Sequence, residues 1–156
     1  MQVFLPYADF TKSAKCLDKK RLFKQTWECK QLLNAILRIK TGWRNHCITR
    51  TWESHAFLLY EFFKACTEEC KERQMIGFAD ATEWMESLSL EQSHELLAGS
   101  NESTDFLSSD WYHLAYQSHL LAKNEEYYSQ FNWEVEPKSG YWAKNKSGEW
   151  QQYSIK

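Results

Sequence analysis

Residues 18–39 read DKKRLFKQTWECKQLLNAILRI, and the spacing of their apolar side chains decides the fold. Leu22, Cys29, Leu33, Ile36 and Leu37, with Thr26 filling the gap, recur at helical intervals and fall on one side of a helix. A helix over 18–39 is therefore predicted, with Thr41-Gly42 as its stop and Lys40 suited to the negative end of the helix dipole. At about 100° per residue, Arg21, Lys24 and Glu28 lie within roughly one-sixth of a turn of each other, with Gln31 close by. A carboxylate is thus set into a basic stripe along the edge of an apolar face.

Outward from this helix, most of the chain keeps the same period. Residues 3–7 are apolar but broken by Pro6, which fits an extended N-terminal arm, and Asp9 or Thr11 can cap a first helical turn. A second long helix is expected from Thr49 or Thr51 to about residue 74, with Trp52, His55, Leu59, Phe62, Phe63 and Cys66 inside and Glu61, Glu68, Glu69 and Glu72 outside. Asp80 or Thr82 can cap a short helix ending near Glu86, and another runs from Ser89 to Ala98. Residues 99–103 read as a loop. A helix over 104–123 follows, with Phe106, Trp111, Leu114, Ala115, His119 and Ala122 as its expected inner face. The last thirty residues lose the period. They read as an aromatic C-terminal tail packed on the body, with Trp133, Trp142 and Trp150 as stacking candidates and a hairpin near Ser139-Gly140. The expected architecture is an all-α, compact single-domain bundle over 1–156.

Composition narrows the classes. The chain has 156 residues, 16% of them aromatic, with only five Gly and two Pro. Disordered and collagen-like chains are excluded, and a many-stranded sandwich lacks the turn residues it needs. The five cysteines (Cys16, Cys29, Cys47, Cys66, Cys70) include no CxxC pair and no suitably spaced His, so small buried hydrophobes are expected, with no metal site. A reduced, cytoplasmic setting without a signal peptide fits these thiols. The longest apolar stretch is interrupted by Glu61, so no membrane span is expected. A net charge of −2 hides a split. Residues 11–50 carry eleven basic side chains against Asp18 and Glu28, a local +9, and residues 51–110 carry three against thirteen acids, a local −10. Such a split arises from a solvated acidic face, or from a basic surface built for phosphates.

Three places could carry chemistry. In the stripe of Lys20, Arg21, Lys24 and Gln25, cations could hold phosphates while Glu28 handles a proton or a developing positive charge. An ordinary surface pair between Lys24 and Glu28 reads equally well from the spacing. The turn Gly42-Trp43-Arg44-Asn45-His46 gathers donors suited to phosphate or base-edge contacts. The late helix adds Gln117, Ser118 and Lys123, while His55 and His119 fall on inner faces as core residues. Nucleotide-hydrolase, zinc-protease and serine-esterase signatures are lacking, and no cofactor is called for.

The runs Leu17-Asp18-Lys19-Lys20-Arg21-Leu22-Phe23-Lys24-Gln25-Thr26-Trp27-Glu28, Gly42-Trp43-Arg44-Asn45-His46 and Ser118-His119-Leu120-Leu121-Ala122-Lys123-Asn124-Glu125-Glu126-Tyr127-Tyr128 resemble a group of small bacterial and phage proteins related to the pyrimidine-dimer DNA glycosylases of the endonuclease V type. The likeness covers residues 1–60 and 110–133. It implies an all-α DNA-repair domain that extrudes a nucleotide and cuts the glycosidic bond, with the chain's α-amine as nucleophile and Glu28 as the catalytic acid. An α-amine titrates near 8, against about 10.4 for lysine, so more of it is neutral and able to attack at pH 7. Gln2 is too large to favour removal of Met1, so the amine is expected to be Met1's own. The partner implied is DNA. The alternative is a phage-type binder that sequesters a small cyclic oligonucleotide in the same basic pocket without cutting it, and homo-oligomerisation is left open by either reading.

Overall fold

The computed structural model describes residues 1–99 and 103–154, so residues 100–102 of the expected 99–103 loop lie outside the described residues. The arm leads into α1 (Phe10–Cys16), α2 (Lys19–Ile36), α3 (Cys47–Trp52), α4 (Ala56–Glu72), α5 (Ala81–Glu86), α6 (Leu90–Leu97), α7 (Asp110–Lys123) and α8 (Glu125–Tyr128). An antiparallel hairpin of β1 (Tyr141–Lys144) and β2 (Trp150–Tyr153) ends the fold, with Tyr141 opposite Tyr153 and Lys144 opposite Trp150. The fold is otherwise all-α. Helix α4 packs on both α2 and α1, and the hairpin rests on α3 and α7. Among the described residues no helix is long and apolar enough to cross a membrane.

Helix α2 begins where a cap can form: the Asp18 carboxylate accepts the Arg21 N–H at 2.9 Å. Its buried face carries Leu22, Cys29, Leu32, Leu33 and Ile36. It ends before the predicted Thr41-Gly42 stop, because Arg38 turns left-handed at φ +59 and the Ile39 and Lys40 N–H groups both donate to the Asn34 carbonyl. Carbonyl capping, rather than glycine, stops this helix.

The single helix expected over 49–74 is two helices separated by a 3-10 turn at Glu53–His55. It starts earlier than expected because His46 Nδ1 accepts the Ile48 N–H at 3.2 Å and caps α3. The predicted inner residues Trp52, His55, Leu59, Phe62, Phe63 and Cys66 are all buried. The inner face of α7 departs from expectation. A 3-10 turn at Asp105–Ser108 breaks the phase, so Tyr112, His113, Tyr116, His119 and Leu120 face the core, while Trp111 and Leu114 are exposed.

The tail hairpin turns at residues 145–148, not at Ser139-Gly140, and the Asn145 N–H donates to the Glu149 carbonyl at 2.8 Å. Gly140 precedes β1 with φ +154, and a Cβ there would stand 3.0 Å from the Tyr153 carbonyl oxygen. The tail tryptophans are packed rather than offered for stacking: Trp133 lies on Phe131 and Tyr128, and Trp142 and Trp150 flank Trp111. All five cysteines are free and buried, and burial pushes the Cys16 thiol up to about 12.

His119 joins three parts of the fold. Its ring stacks on Phe4 at 5.9 Å, and its Nδ1 accepts the Gly140 N–H at 3.0 Å. Burial, helped by the Lys123 and Arg21 cations, pushes this imidazole down from 6.5 to about 4. The native ring thus stays neutral in a range where the ring of the unfolded chain takes up a proton. Its contribution to stability is fully present above about pH 6.5 and is lost as pH falls toward about 4. Urea titrations between those limits are expected to show the wild type losing up to about 1.4 kcal/mol per pH unit more than His119→Asn. Parallel loss in the two proteins would show that His119 is not the group responsible.

Candidate active site

The site is built on a buried arm that has no sheet to join. Gln2, Val3, Phe4 and Leu5 are buried between α2 and α7, so their backbone groups need partners. Side chains supply them. In an extended chain the N–H of residue 4 and the carbonyl of residue 2 face the same side, and one amide can satisfy both. Gln25 does this: its Oε1 accepts the Phe4 N–H at 2.8 Å and its Nε2 donates to the Gln2 carbonyl at 3.0 Å. From α7, Gln117 Nε2 donates to the Pro6 carbonyl at 2.8 Å, and His113 Nδ1 lies 2.8 Å from the Leu5 carbonyl.

This threading brings the start of the chain to Glu28. The Met1 α-nitrogen is 3.8 Å from Glu28 Oε1, and the Gln2 N–H points at Oε2 from 3.4 Å. Lys24 Nζ reaches Oε1 at 3.4 Å from the solvent side, 64% exposed, while the Glu28 side chain is 8% exposed. Met1 is half-buried, but its side chain is only 1% exposed, so what it shows to solvent is main chain. The amine is therefore accessible, held beside a shielded carboxylate, and too far from it for a direct hydrogen bond. Among the described residues Gln2 Oε1 is a buried acceptor with no hydrogen-bond partner.

The turn before α3 closes the other side. Burial, followed by the Met1 ammonium and Arg50, lowers the His46 imidazole from its ordinary value. With Nδ1 accepting from Ile48, the neutral ring carries its proton on Nε2. Trp43 meets the His46 ring edge-on at 5.3 Å. The Trp43 carbonyl accepts from Thr49 Oγ1 at 2.6 Å, which fixes the turn.

The basic residues divide into ties and free cations. Arg21 is a tie: Nη1 binds Asp18 at 2.8 Å and Nη2 donates to the Lys123 carbonyl at 3.2 Å. It docks the end of α7 beside α2 instead of pointing at solvent. Lys20, Lys24 and Lys123 are exposed. Burial and the neighbouring Arg21, Lys24 and Lys20 cations lower the Lys123 ammonium, a repulsion among like charges that Glu28 opposes. A bound phosphate would relieve that repulsion.

Several expected ligand contacts have other tasks. Gln25 is fully buried under the arm, and Ser118 Oγ donates to the Glu136 carbonyl at 2.5 Å, tying down the tail. Arg44 and Asn45 are exposed on the turn, and the Asn45 carbonyl accepts from Arg50 Nη1. Sequence reasoning passed over the arm's own residues, Gln2 above all, together with His113. A cavity of about 440 Å³ around His55, Phe57 and Leu96 lies elsewhere; its charged lining is Glu53 and Glu95, unsuited to phosphate. Among the described residues no group of three or more His, Cys, Asp or Glu side chains could hold a metal.

The sequence pattern of the pyrimidine dimer DNA glycosylases matches residues 1–86 of this chain, just over half of it. The chain belongs to that family. Membership makes it DNA glycosylase-like, with DNA as the substrate class. The match takes in the arm, Met1, Glu28 and the Gly42–His46 turn and runs on to Glu86, past the 1–60 resemblance; residues 110–133 lie outside it. Comparisons with curated proteins and with solved structures gave no match.

If Gln25 holds the arm as its geometry implies, Gln25→Met leaves a buried N–H and a buried carbonyl unpaired. A loss of about 2–4 kcal/mol in unfolding free energy by urea titration is expected. Unchanged stability would mean that the arm is held by its apolar side chains alone.

Proposed function

We propose that this chain is a DNA glycosylase for a damaged or modified base, with the Met1 α-amine as nucleophile and Glu28 as the proton-handling carboxylate. The observation that carries the reading is the 3.8 Å separation of the Met1 nitrogen and Glu28 Oε1, in a site where the amine is accessible and the carboxylate is shielded. One water or a small movement lets the ammonium pass a proton to Glu28, which frees the nitrogen lone pair. That lone pair bonds to the sugar C1′. The bond from C1′ to the base breaks, its electron pair leaves with the base nitrogen, and a proton is delivered there as the base departs. Opening of the sugar ring gives an iminium between Met1 and C1′. Loss of a C2′ proton from this iminium expels the 3′ phosphate, and water then returns the free amine. Lys20, Lys24 and Lys123 stand where backbone phosphates need cations. A protein that only sequesters a cyclic nucleotide has no use for an amine held beside a shielded carboxylate.

Borohydride reduces an iminium to a stable amine, so it is expected to trap wild-type protein on DNA that carries the right damaged base, with the label mapping to Met1. Glu28→Gln is expected to slow trapping and strand scission about 10²- to 10⁴-fold while keeping DNA binding. Absence of any adduct across a panel of lesions, with tight calorimetric binding of an intact cyclic nucleotide, would replace this reading with the sequestering one.

A further inference from the structure

Exposed tryptophans are costly for a protein to display, and their surroundings differ. Trp111, 40% exposed, is flanked edge-on by Trp142 and Trp150 and follows Asp110, so it belongs to the packing of the hairpin. Trp27 and Trp43, 39% and 42% exposed, instead face a common groove of about 340 Å³ between α2 and the turn after it. Lys30, Lys40 and Gln31 also line it, and no carboxylate does among the described residues. A volume of that size accommodates a small aromatic ligand.

Both indoles are held in place. Trp27 Nε1 donates to the Gly77 carbonyl at 3.2 Å, and Lys30 Nζ lies 5.4 Å from its ring centre. Trp43 is fixed through its carbonyl and its edge contact with His46. A preset ring loses little freedom when a base stacks on it. Gln31 is one turn beyond Glu28 on α2, about 5 Å along the axis, a distance covered by one or two stacked nucleotides. Lys20, Lys24, Trp27 and Gln31 share the exposed stripe of this helix, so a strand whose phosphates follow the lysines brings a neighbouring base to the groove.

We propose that the Trp27–Trp43 groove stacks an unpaired base adjacent to the reacting nucleotide, so that this protein takes single-stranded or frayed DNA in preference to intact duplex. The inference rests on the reading of the chain as a DNA-handling enzyme. Its chemistry is that of strand-tracking sites: cations for the backbone and an indole face that a paired, stacked base cannot offer itself to.

The test is fluorescence anisotropy with a labelled, undamaged oligothymidylate and with the duplex it forms with its complement. Wild type is expected to bind the single strand more tightly. Trp43→Ala is expected to weaken single-strand binding by about 5- to 150-fold, the stacking of one base, with little change for duplex, and Trp43→Phe to recover most of the loss. Trp43→Ala keeps the carbonyl bond to Thr49, and a melting curve checks that it folds. Equal single-strand affinity for Trp43→Ala and wild type, or preferential binding of duplex by wild type, overturns the inference. If borohydride still traps Met1 on damaged DNA in that event, the groove alone is refuted. If wild type binds neither form at low salt and forms no adduct, the glycosylase reading falls with it.

Discussion

An extended segment buried between two helices is the constraint from which the site follows. Water cannot reach the backbone of residues 2–5, and the only sheet among the described residues, the two-stranded C-terminal hairpin, does not include them. Side chains therefore stand in for a neighbouring strand, Gln25 from α2 and His113 and Gln117 from α7. Because these partners sit on rigid helices, the path of the arm is set to within a hydrogen-bond length. The position of the Met1 nitrogen beside Glu28 is a consequence of where Gln25 is, one helical turn before Glu28 on the same helix. A free terminus would sample many positions; this one is held as an internal residue would be.

The same arrangement settles how one carboxylate can lie among several cations without being neutralised by a single partner. Glu28 Oε1 is shared between Met1 and Lys24 at 3.8 and 3.4 Å, while Oε2 is turned to the Gln2 N–H. None of these contacts is short enough to fix the charge in one strong bond, so the carboxylate is held by several weak partners rather than by one. Arg21, in contrast, is spent on Asp18 and on the end of α7. That tie has a functional result: it brings Lys123, distant in sequence, into the same cluster.

What could be read from the sequence divides along physical lines. Helical period located α2 and the buried face of α4, because it reports burial directly, while cap residues marked α1 and α5. It failed at Arg38 and at Glu53–His55, where the chain leaves the helix through a carbonyl or 3-10 contact that leaves no mark on apolar spacing. It misjudged the face of α7, since residues 105–108 interrupt the phase. Gln25 was misread for a subtler reason. It falls in phase with Leu22 and Cys29, and a polar residue on a buried face signals a buried partner, which the arm supplies. That signal was present in the sequence and was taken for a basic-stripe contact. The approach of the Met1 nitrogen to Glu28 depends on long-range packing and had no local signature beyond the family resemblance.

The charge split acquires a direction in three dimensions. The basic stretch 11–50 supplies the exposed stripe of α2 and the turn after it, while the acidic stretch supplies the outer side of α4 and both carboxylates of the cavity around His55. Coulomb forces act on such a molecule as on a dipole, so a polyanion is drawn to the α2 face and repelled from the α4 and α6 face before any contact forms. A net charge near zero limits how tightly long duplex can be held through counterion release. Segregation of the charge keeps the orienting effect without that general affinity, which leaves discrimination to short-range contacts on the α2 face rather than to net charge.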